Sequence, residues 1–318
     1  MKLIIQIPCF NEEKTLLSVL EELPTKIDWI DKIETMIIDD GSNDKTIEIA
    51  TKFGVDYIIK HIWNKWLGNA FKSWVHKALL EWADILVNTD WDNQYPSKYI
   101  ADLVKPIIEW NAEIVMWNRQ TAKITHFSTI KKFFQWLGSF MVRLLSGTTV
   151  PDSVSGFRAY SREALLKINV TSDFSYAVDT LIQAGNKKIK IVDINITTNS
   201  PTRPSRLFKN MWHHIYKTTQ IMLRVYSMYN PLRLFFVLGT PFFILWVIGL
   251  TRFMYFYIQN PIDTGKVQSL VISGAFLAIA IQFFALWVIW DLIGKNRRLI
   301  EDDLYLTKKQ YYKKFKKY

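Results

Sequence analysis

Two uncharged apolar runs near the end of the chain constrain its fold more than any other feature. Leu234 to Thr251 carries no charge for 18 residues and continues past Arg252 to Ile258, and Val267 to Trp290 carries none for 24. Each is long enough to cross a bilayer as a helix. The segment between them, around Gln259 to Gln268, holds only Asp263 and Lys266, whereas the outer flanks are basic. Arg203 to Arg233 contains six Lys or Arg and no acid, and Lys295 to the end contains nine against three. Basic flanks mark the cytoplasmic side. The pattern predicts a transmembrane hairpin with its loop outside and both the N-terminal region and the tail inside. A pair of buried core helices is the alternative, and Arg252 keeps it open.

The preceding sequence is differently composed. Residues 1–202 carry 23 Lys or Arg against 24 Asp or Glu, so the net charge of +11 belongs to the flanks of the apolar runs and not to a nucleic-acid surface. The membrane is an expected partner and nucleic acid is not. With 318 residues, 49% of them hydrophobic, there is ample apolar sequence for a core as well. Cys9 stands alone, which excludes an internal disulfide and suits a reducing compartment. Met1 to Pro8 lacks the basic region, long apolar core and small-residue cleavage site of a signal peptide, so none is expected.

Short β-rich runs alternate with amphipathic stretches through this first region. Strands are expected over Leu3 to Pro8, Thr35 to Asp39, Tyr57 to Lys60, Ile85 to Thr89, Glu113 to Met116 and within Lys188 to Thr197. Helical patterns cover Glu12 to Leu23, Asn69 to Leu80 and Tyr99 to Ile108. This rhythm predicts an α/β fold with a mostly parallel, doubly wound sheet, whose ligands bind beyond the carboxyl ends of the strands. From Arg206 to Tyr229 apolar and aromatic residues mix with Lys and Arg, the pattern of a helix lying in the membrane interface, although a plain packing helix has the same amphipathic character.

The polar motifs fall at the strand ends. The first is Pro8-Cys9-Phe10-Asn11-Glu12-Glu13, the second Asp39-Asp40-Gly41-Ser42-Asn43-Asp44, and the third Asp90-Trp91-Asp92-Asn93-Gln94. Any one of them could be a turn with a capping side chain. Together they place carboxylates at successive strand ends. Two carboxylates two residues apart, followed by an amide at the next alternate position, can hold a hard divalent cation against the phosphates of a nucleotide.

The ordered set resembles the GT-A nucleotide-sugar glycosyltransferases of family two, and within them polyprenyl-phosphate glycosyltransferases similar to dolichol-phosphate mannose synthase. The resemblance rests on Pro8, Asn11 and Glu12; Asp39 to Ser42; Asn64, Lys65 and Gly68; Asp90 through Pro96; Asn118 and Arg119; Asp152 with Ser155 to Arg158; and Arg203 with Ser205 and Arg206. It implies a Rossmann-like GT-A domain over 1–202, an interfacial helix over 203–230, a hairpin over 231–294 with spans at about 234–258 and 267–290, and a basic tail over 295–318.

The same resemblance implies roles. Pro8, Glu12 and Asp40 would hold the base and ribose of a UDP- or GDP-linked sugar, and Asp90 would complete the nucleotide site. Asp90, Asp92 and Gln94 would hold Mg2+ or Mn2+, while Arg203, Ser205 and Arg206 would meet the phosphate of a polyprenyl acceptor. Arg119, Asp92 and Asp152 would act at the reacting centre, although Arg119 also reads as a surface charge and Asp152 as a turn residue after Pro151. A phosphate oxygen would displace the nucleotide diphosphate with inversion at the anomeric carbon. Self-association is left open. A transferase for another lipid or glycan, a non-catalytic membrane scaffold and a nucleotidyltransferase are the rival readings; the last lacks a glycine after the first strand to cradle a triphosphate.

Tryptophan is the remaining oddity, with 13 copies against 12 glycines. By the family pattern Trp66, Trp74, Trp82, Trp91, Trp110 and Trp117 stand where glycine or another small residue is usual. That predicts UGA codons read as glycine by the source organism, with Trp63, Trp136, Trp212, Trp246, Trp287 and Trp290 authentic.

Overall fold

The computed structural model describes residues 1–91, 95–119, 129–153, 155–196, 211–259 and 267–315, with side chains from 132 and from 215 onward in the segments that begin at 129 and 211. The chain forms two compact units, one of Met1–Leu223 with Asp303–Tyr318 and one of Arg224–Asp302.

In the first unit β1 (Lys2–Cys9), α1 (Leu16–Glu21), β2 (Lys32–Asp39), α2 (Thr46–Phe53), β3 (Tyr57–Lys60), α3 (Leu67–Leu80) and β4 (Ile85–Asn88) alternate regularly. A 3-10 turn at Ser97–Tyr99 leads into α4 (Ile100–Ile108), followed by β5 (Ile114–Asn118), α5 (Thr129–Ser146), β6 (Arg158–Ser161), α6 (Arg162–Lys167), α7 (Ala177–Asn186) and β7 (Ile191–Asn195). The seven strands form one sheet in the order β3-β2-β1-β4-β6-β5-β7. Only β6 runs against its neighbours.

The parallel strands read as unbroken apolar runs because helices cover both faces. Ile4, Ile5, Ile7, Ile37, Ile38, Leu86 and Val87 are all fully buried. Leu103, Val104 and Ile107 of α4 pack into one core cluster with Ile5, Val87 and Val115, while Leu16, Val19 and Leu20 of α1 pack into another with Ile7 and Ile37.

Register decides which residues meet. Cys9 lies opposite Asp39, Asp39 opposite Lys60, and Gln6 opposite Asn88, so the polar segments after β1, β2, β3 and β4 leave the same edge of the sheet. Antiparallel β6 adds the segment before it to that edge, since Arg158 pairs with both Asn88 and Met116.

Two long helices follow α8 (Met211–Tyr229), namely α9 (Pro231–Gln259) and α10 (Val267–Lys313). Both are long and apolar enough to cross a membrane, and only 11% of the most apolar window of each is buried. Within the second unit they pack antiparallel, with Phe235 against Trp290 and Phe242 against Phe283 at ring separations of 5.9 and 5.7 Å. Helix α10 runs uninterrupted through 295, where the sequence suggests a separate tail. Its last residues, from Asp303, belong to the first unit, where Tyr305 donates to Glu163 at 2.8 Å and the Tyr312 hydroxyl lies 2.7 Å from His76 Nδ1.

Candidate active site

The loops after β1 and β2 are stitched together by side chains acting on backbone. The Asn11 N–H donates to Ser42 Oγ at 2.8 Å, the Asn43 N–H to Asn11 Oδ1 at 2.9 Å, and the Glu12 N–H to Thr46 Oγ1 at 2.8 Å. Asp39 is buried and accepts the Ser42 N–H, which closes the turn around Gly41. That turn needs glycine: φ is 87°, and a Cβ there would lie 3.0 Å from the Trp63 carbonyl carbon. Cys9 sits beneath. Burial, reinforced by the nearby charges of Glu12, Asp39 and Asp44, pushes its thiol well above the usual value, so it stays protonated and unreactive.

Asp40 is held in one orientation. Its Oδ1 accepts from His61 Nδ1 at 2.8 Å and from the Lys65 backbone N–H at 2.9 Å. A carboxylate can only accept, so the proton of this contact is on Nδ1. His61 is buried, and its Nε2 lies 3.0 Å from Ser73 Oγ on α3. Gly41, Ser42, Asn43, Lys60, His61 and Ile62 line a cleft of about 420 Å³ beside this carboxylate.

Further along the edge, Asn88 donates to the Gly156 carbonyl at 2.6 Å and to Tyr176 Oη at 3.0 Å. Gly156 lies beside the Asp90 carboxylate, since a Cβ there would be 3.4 Å from Asp90 Oδ1, in van der Waals contact. Burial raises the Tyr176 phenol well above its usual value, and the Asp90 charge adds to the effect. Arg119 and Asp152 form a two-pronged ion pair, with Nε to Oδ2 at 2.6 Å and Nη2 to Oδ1 at 2.8 Å. Burial alone would lower the Arg119 pKa, but Asp152 outweighs it and, with Asp90, raises it.

Buried Arg158 is a clamp. It donates to the Ser155, Ala177 and Ser153 carbonyls and to Thr180 Oγ1, tying the loop before β6 to α7.

Of the residues singled out in the sequence, Pro8, Glu12, Asp40, Asp90, Arg119 and Asp152 all fall at this edge of the sheet. Asp92, Gln94, Arg203, Ser205 and Arg206 lie outside the described residues. Among the described residues no three His, Cys, Asp or Glu side chains group as metal ligands. Asp90 offers the hard oxygen donor that Mg2+ or Mn2+ prefers, and one or two carboxylates suffice where phosphate oxygens supply the rest. The donor chemistry therefore fits.

Residues 4–168, just over half of the chain, match the sequence profile described as glycosyl transferase family 2. The chain belongs to glycosyl transferase family 2. Among relatives of this glycosyltransferase is the UDP-N-acetylglucosamine--dolichyl-phosphate N-acetylglucosaminyltransferase of Methanococcus voltae, 31% identical over 60% of this chain and 83% of that protein. The undecaprenyl-phosphate mannosyltransferase of Micrococcus luteus is 25% identical over 62% of this chain and 83% of its own length. The undecaprenyl-phosphate 4-deoxy-4-formamido-L-arabinose transferase of Photorhabdus laumondii matches at 25% identity over 92% of this chain and 89% of that one. In structure the glycosyltransferase is similar to glucosyl-3-phosphoglycerate synthase from Mycobacterium tuberculosis in complex with UDP. The TM-score is 0.54 at 20% identity, over 71% of this chain and 80% of that one.

His61 and Ser73 are the members of the site that sequence reasoning missed. The available signal was position, since His61 directly follows Lys60, the last residue of β3, just as Asp40 follows the last residue of β2.

Proposed function

We propose that this glycosyltransferase moves a sugar from a nucleotide-diphosphate donor to a polyprenyl phosphate at the cytoplasmic face of the membrane, with inversion at the anomeric carbon. The observation that carries the reading is the fixed Asp40 carboxylate beside an open cleft, with Asp90 and the Arg119–Asp152 pair farther along the same strand ends. Relatives named for transfer to dolichyl or undecaprenyl phosphate support the acceptor class. The apolar helices α9 and α10 suit an enzyme whose acceptor resides in lipid.

In this reading Asp40, held by His61 and Lys65, binds the base and ribose of the donor together with Pro8 and Glu12. Asp90, with Asp92 and Gln94, would hold Mg2+ or Mn2+, which when bound neutralises charge on the departing diphosphate. Related folds were crystallised with Mn2+ or Mg2+ beside UDP. Arg203, Ser205 and Arg206 bind the acceptor phosphate, a bidentate task suited to guanidinium groups.

A phosphate oxygen forms the new bond to the anomeric carbon as the bond to the diphosphate oxygen breaks. The phosphate monoester is already ionised near neutral pH, so no side chain need remove a proton. Arg119 holds Asp152 by both prongs, so its role is to aim the Asp152 carboxylate at sugar or acceptor and not to bind the lipid phosphate itself. The test is transfer of labelled sugar from UDP- and GDP-linked donors into the lipid phase by purified chain supplied with undecaprenyl or dolichyl phosphate. Loss of acceptor affinity in Arg203→Ala, with donor affinity kept, supports the acceptor assignment, and equal loss of both removes it.

A further inference from the structure

Six non-glycine residues have positive φ among those described, and four of them are tryptophan: Trp29 at 68°, Trp66 at 71°, Trp82 at 56° and Trp110 at 58°. The others are Asn11 and Lys188. Asparagine visits this region readily, whereas a bulky side chain there is a genuine outlier because its Cβ crowds the backbone. Four outliers among the 13 tryptophans of the chain point away from chance.

Two of the four occupy one recurring motif. Helix α2 ends with Gly54 at φ 85°, the Gly54 N–H donating to the Thr51 carbonyl and the Val55 N–H to the Ala50 carbonyl. The end of α3 repeats this pattern with Trp82 to Leu79 and Ala83 to Ala78, and the end of α4 with Trp110 to Ile107 and Asn111 to Pro106. This pair of bonds is the Schellman ending, whose left-handed residue is usually glycine. The end of α7 has it too, with Lys188 to Gly185 and Ile189 to Ala184, so the same backbone device is built with glycine once, lysine once and tryptophan twice.

Trp66 is a stronger case. Its φ of 71° is joined to a ψ of 159°, a combination essentially confined to glycine. It directly follows Lys65, whose N–H holds Asp40, and precedes helix α3.

The side chains do little to justify these conformations. Trp29, Trp66 and Trp110 are 81%, 55% and 88% exposed. Trp82 differs, since its indole donates to the Tyr312 carbonyl at 3.0 Å and stacks under Arg162. Composition agrees with a missing set of glycines: 12 in 318 residues, where ordinary usage of roughly 7% would give about 22.

We propose that the protein made by its own cell carries glycine at positions 29, 66, 82 and 110, the codons there being UGA read as glycine and rendered here as tryptophan. Trp29 joins the set on backbone geometry alone. Trp74 and Trp117 lie inside α3 and β5, and Trp91 likewise lacks a positive φ, so the proposal does not rest on these three.

Peptide mass spectrometry of the protein isolated from its source cells, read beside the gene, tests this directly. Glycine at all four positions over UGA codons is the expected result. Tryptophan in the native peptides, or UGG in the gene, at Trp66 or Trp110 overturns it. A second measurement uses recombinant full chain and needs no source cells. Trp110→Gly and Trp110→Ala both remove the exposed indole, but only glycine relieves the left-handed backbone. Trp110→Gly should melt about 2–4 °C above Trp110→Ala. Equal melting temperatures would remove the backbone ground for the proposal.

Discussion

The Arg119 guanidinium and the Asp152 carboxylate face each other in a two-pronged contact, Nε to Oδ2 at 2.6 Å and Nη2 to Oδ1 at 2.8 Å, across 33 residues of sequence. Both side chains are largely withdrawn from solvent, at 14% and 4% exposure. The Asp152 charge raises the Arg119 pKa against the opposing effect of burial.

Breaking a buried ion pair by removing one partner costs about 3–5 kcal/mol. Arg119→Ala and Asp152→Ala are each expected to lower the denaturation midpoint by that order. The double variant should lose little more than either single one. Independent, additive losses in a double-mutant cycle would show that the pair is not coupled.

His61 should act through Asp40. Losing a hydrogen bond to a charged group costs about 1.5–3 kcal/mol, or roughly tenfold to a hundredfold in binding. His61→Ala is expected to raise the donor KM by about that factor while kcat and the acceptor KM change little, and Ser73→Ala should show the same pattern more weakly. An unchanged donor KM, or a loss confined to kcat, would separate His61 from donor binding.

Asp90 belongs to the predicted cation site, where loss of the bound charge should cost several kcal/mol of transition-state stabilisation. Asp90→Asn is expected to cut transfer ~100-fold or more with the melting temperature preserved. Chelator should abolish wild-type transfer, and added Mg2+ or Mn2+ should restore it. Full activity in chelator would exclude a metal requirement.

Much of the fold is legible in the sequence because β1, β2, β4 and β5 are covered on both faces and read as apolar runs such as Leu86-Val87. Strand β6 is not legible. It spans four residues and opens on Arg158, whose charge would argue against a buried strand; four hydrogen bonds to neighbouring oxygens make that burial tolerable. Helix α1 begins at Leu16 and not at Glu12, since the Glu12 and Glu13 N–H groups are engaged by Thr46 and Asp44 across the loop. At the site, Asp40 stands out through its flanking Asp39, Gly41 and Ser42. His61 reaches it only through the register that sets Lys60 beside Asp39, and nothing local in the sequence pairs Arg119 with Asp152.

The buried, protonated state of Cys9 has a pH signature. Its folded pKa lies well above that of an ordinary thiol, so the thiol contribution to stability is complete below the unfolded value and is lost as pH rises beyond it. Alkylation at pH 8 should be slow in the folded protein and fast after denaturation. Rapid labelling of folded protein would contradict the assigned burial.

That silence makes introduced cysteines readable. The charge pattern predicts that Pro261 lies outside and the C-terminus inside. Thr264→Cys should react with an impermeant thiol reagent in intact cells, and Tyr318→Cys should react only after permeabilisation. The reverse pattern would invert the topology.

The most direct test of the function is product analysis with the full chain in lipid vesicles, made both as written and with glycine at positions 29, 66, 82 and 110. The vesicles hold undecaprenyl or dolichyl phosphate, and UDP- and GDP-sugars are supplied with Mg2+ or Mn2+. The account predicts a lipid-linked sugar phosphate whose anomeric configuration is opposite to that of the donor. Failure of both forms to transfer sugar to either lipid phosphate with any donor, or a product retaining the donor configuration, would contradict it.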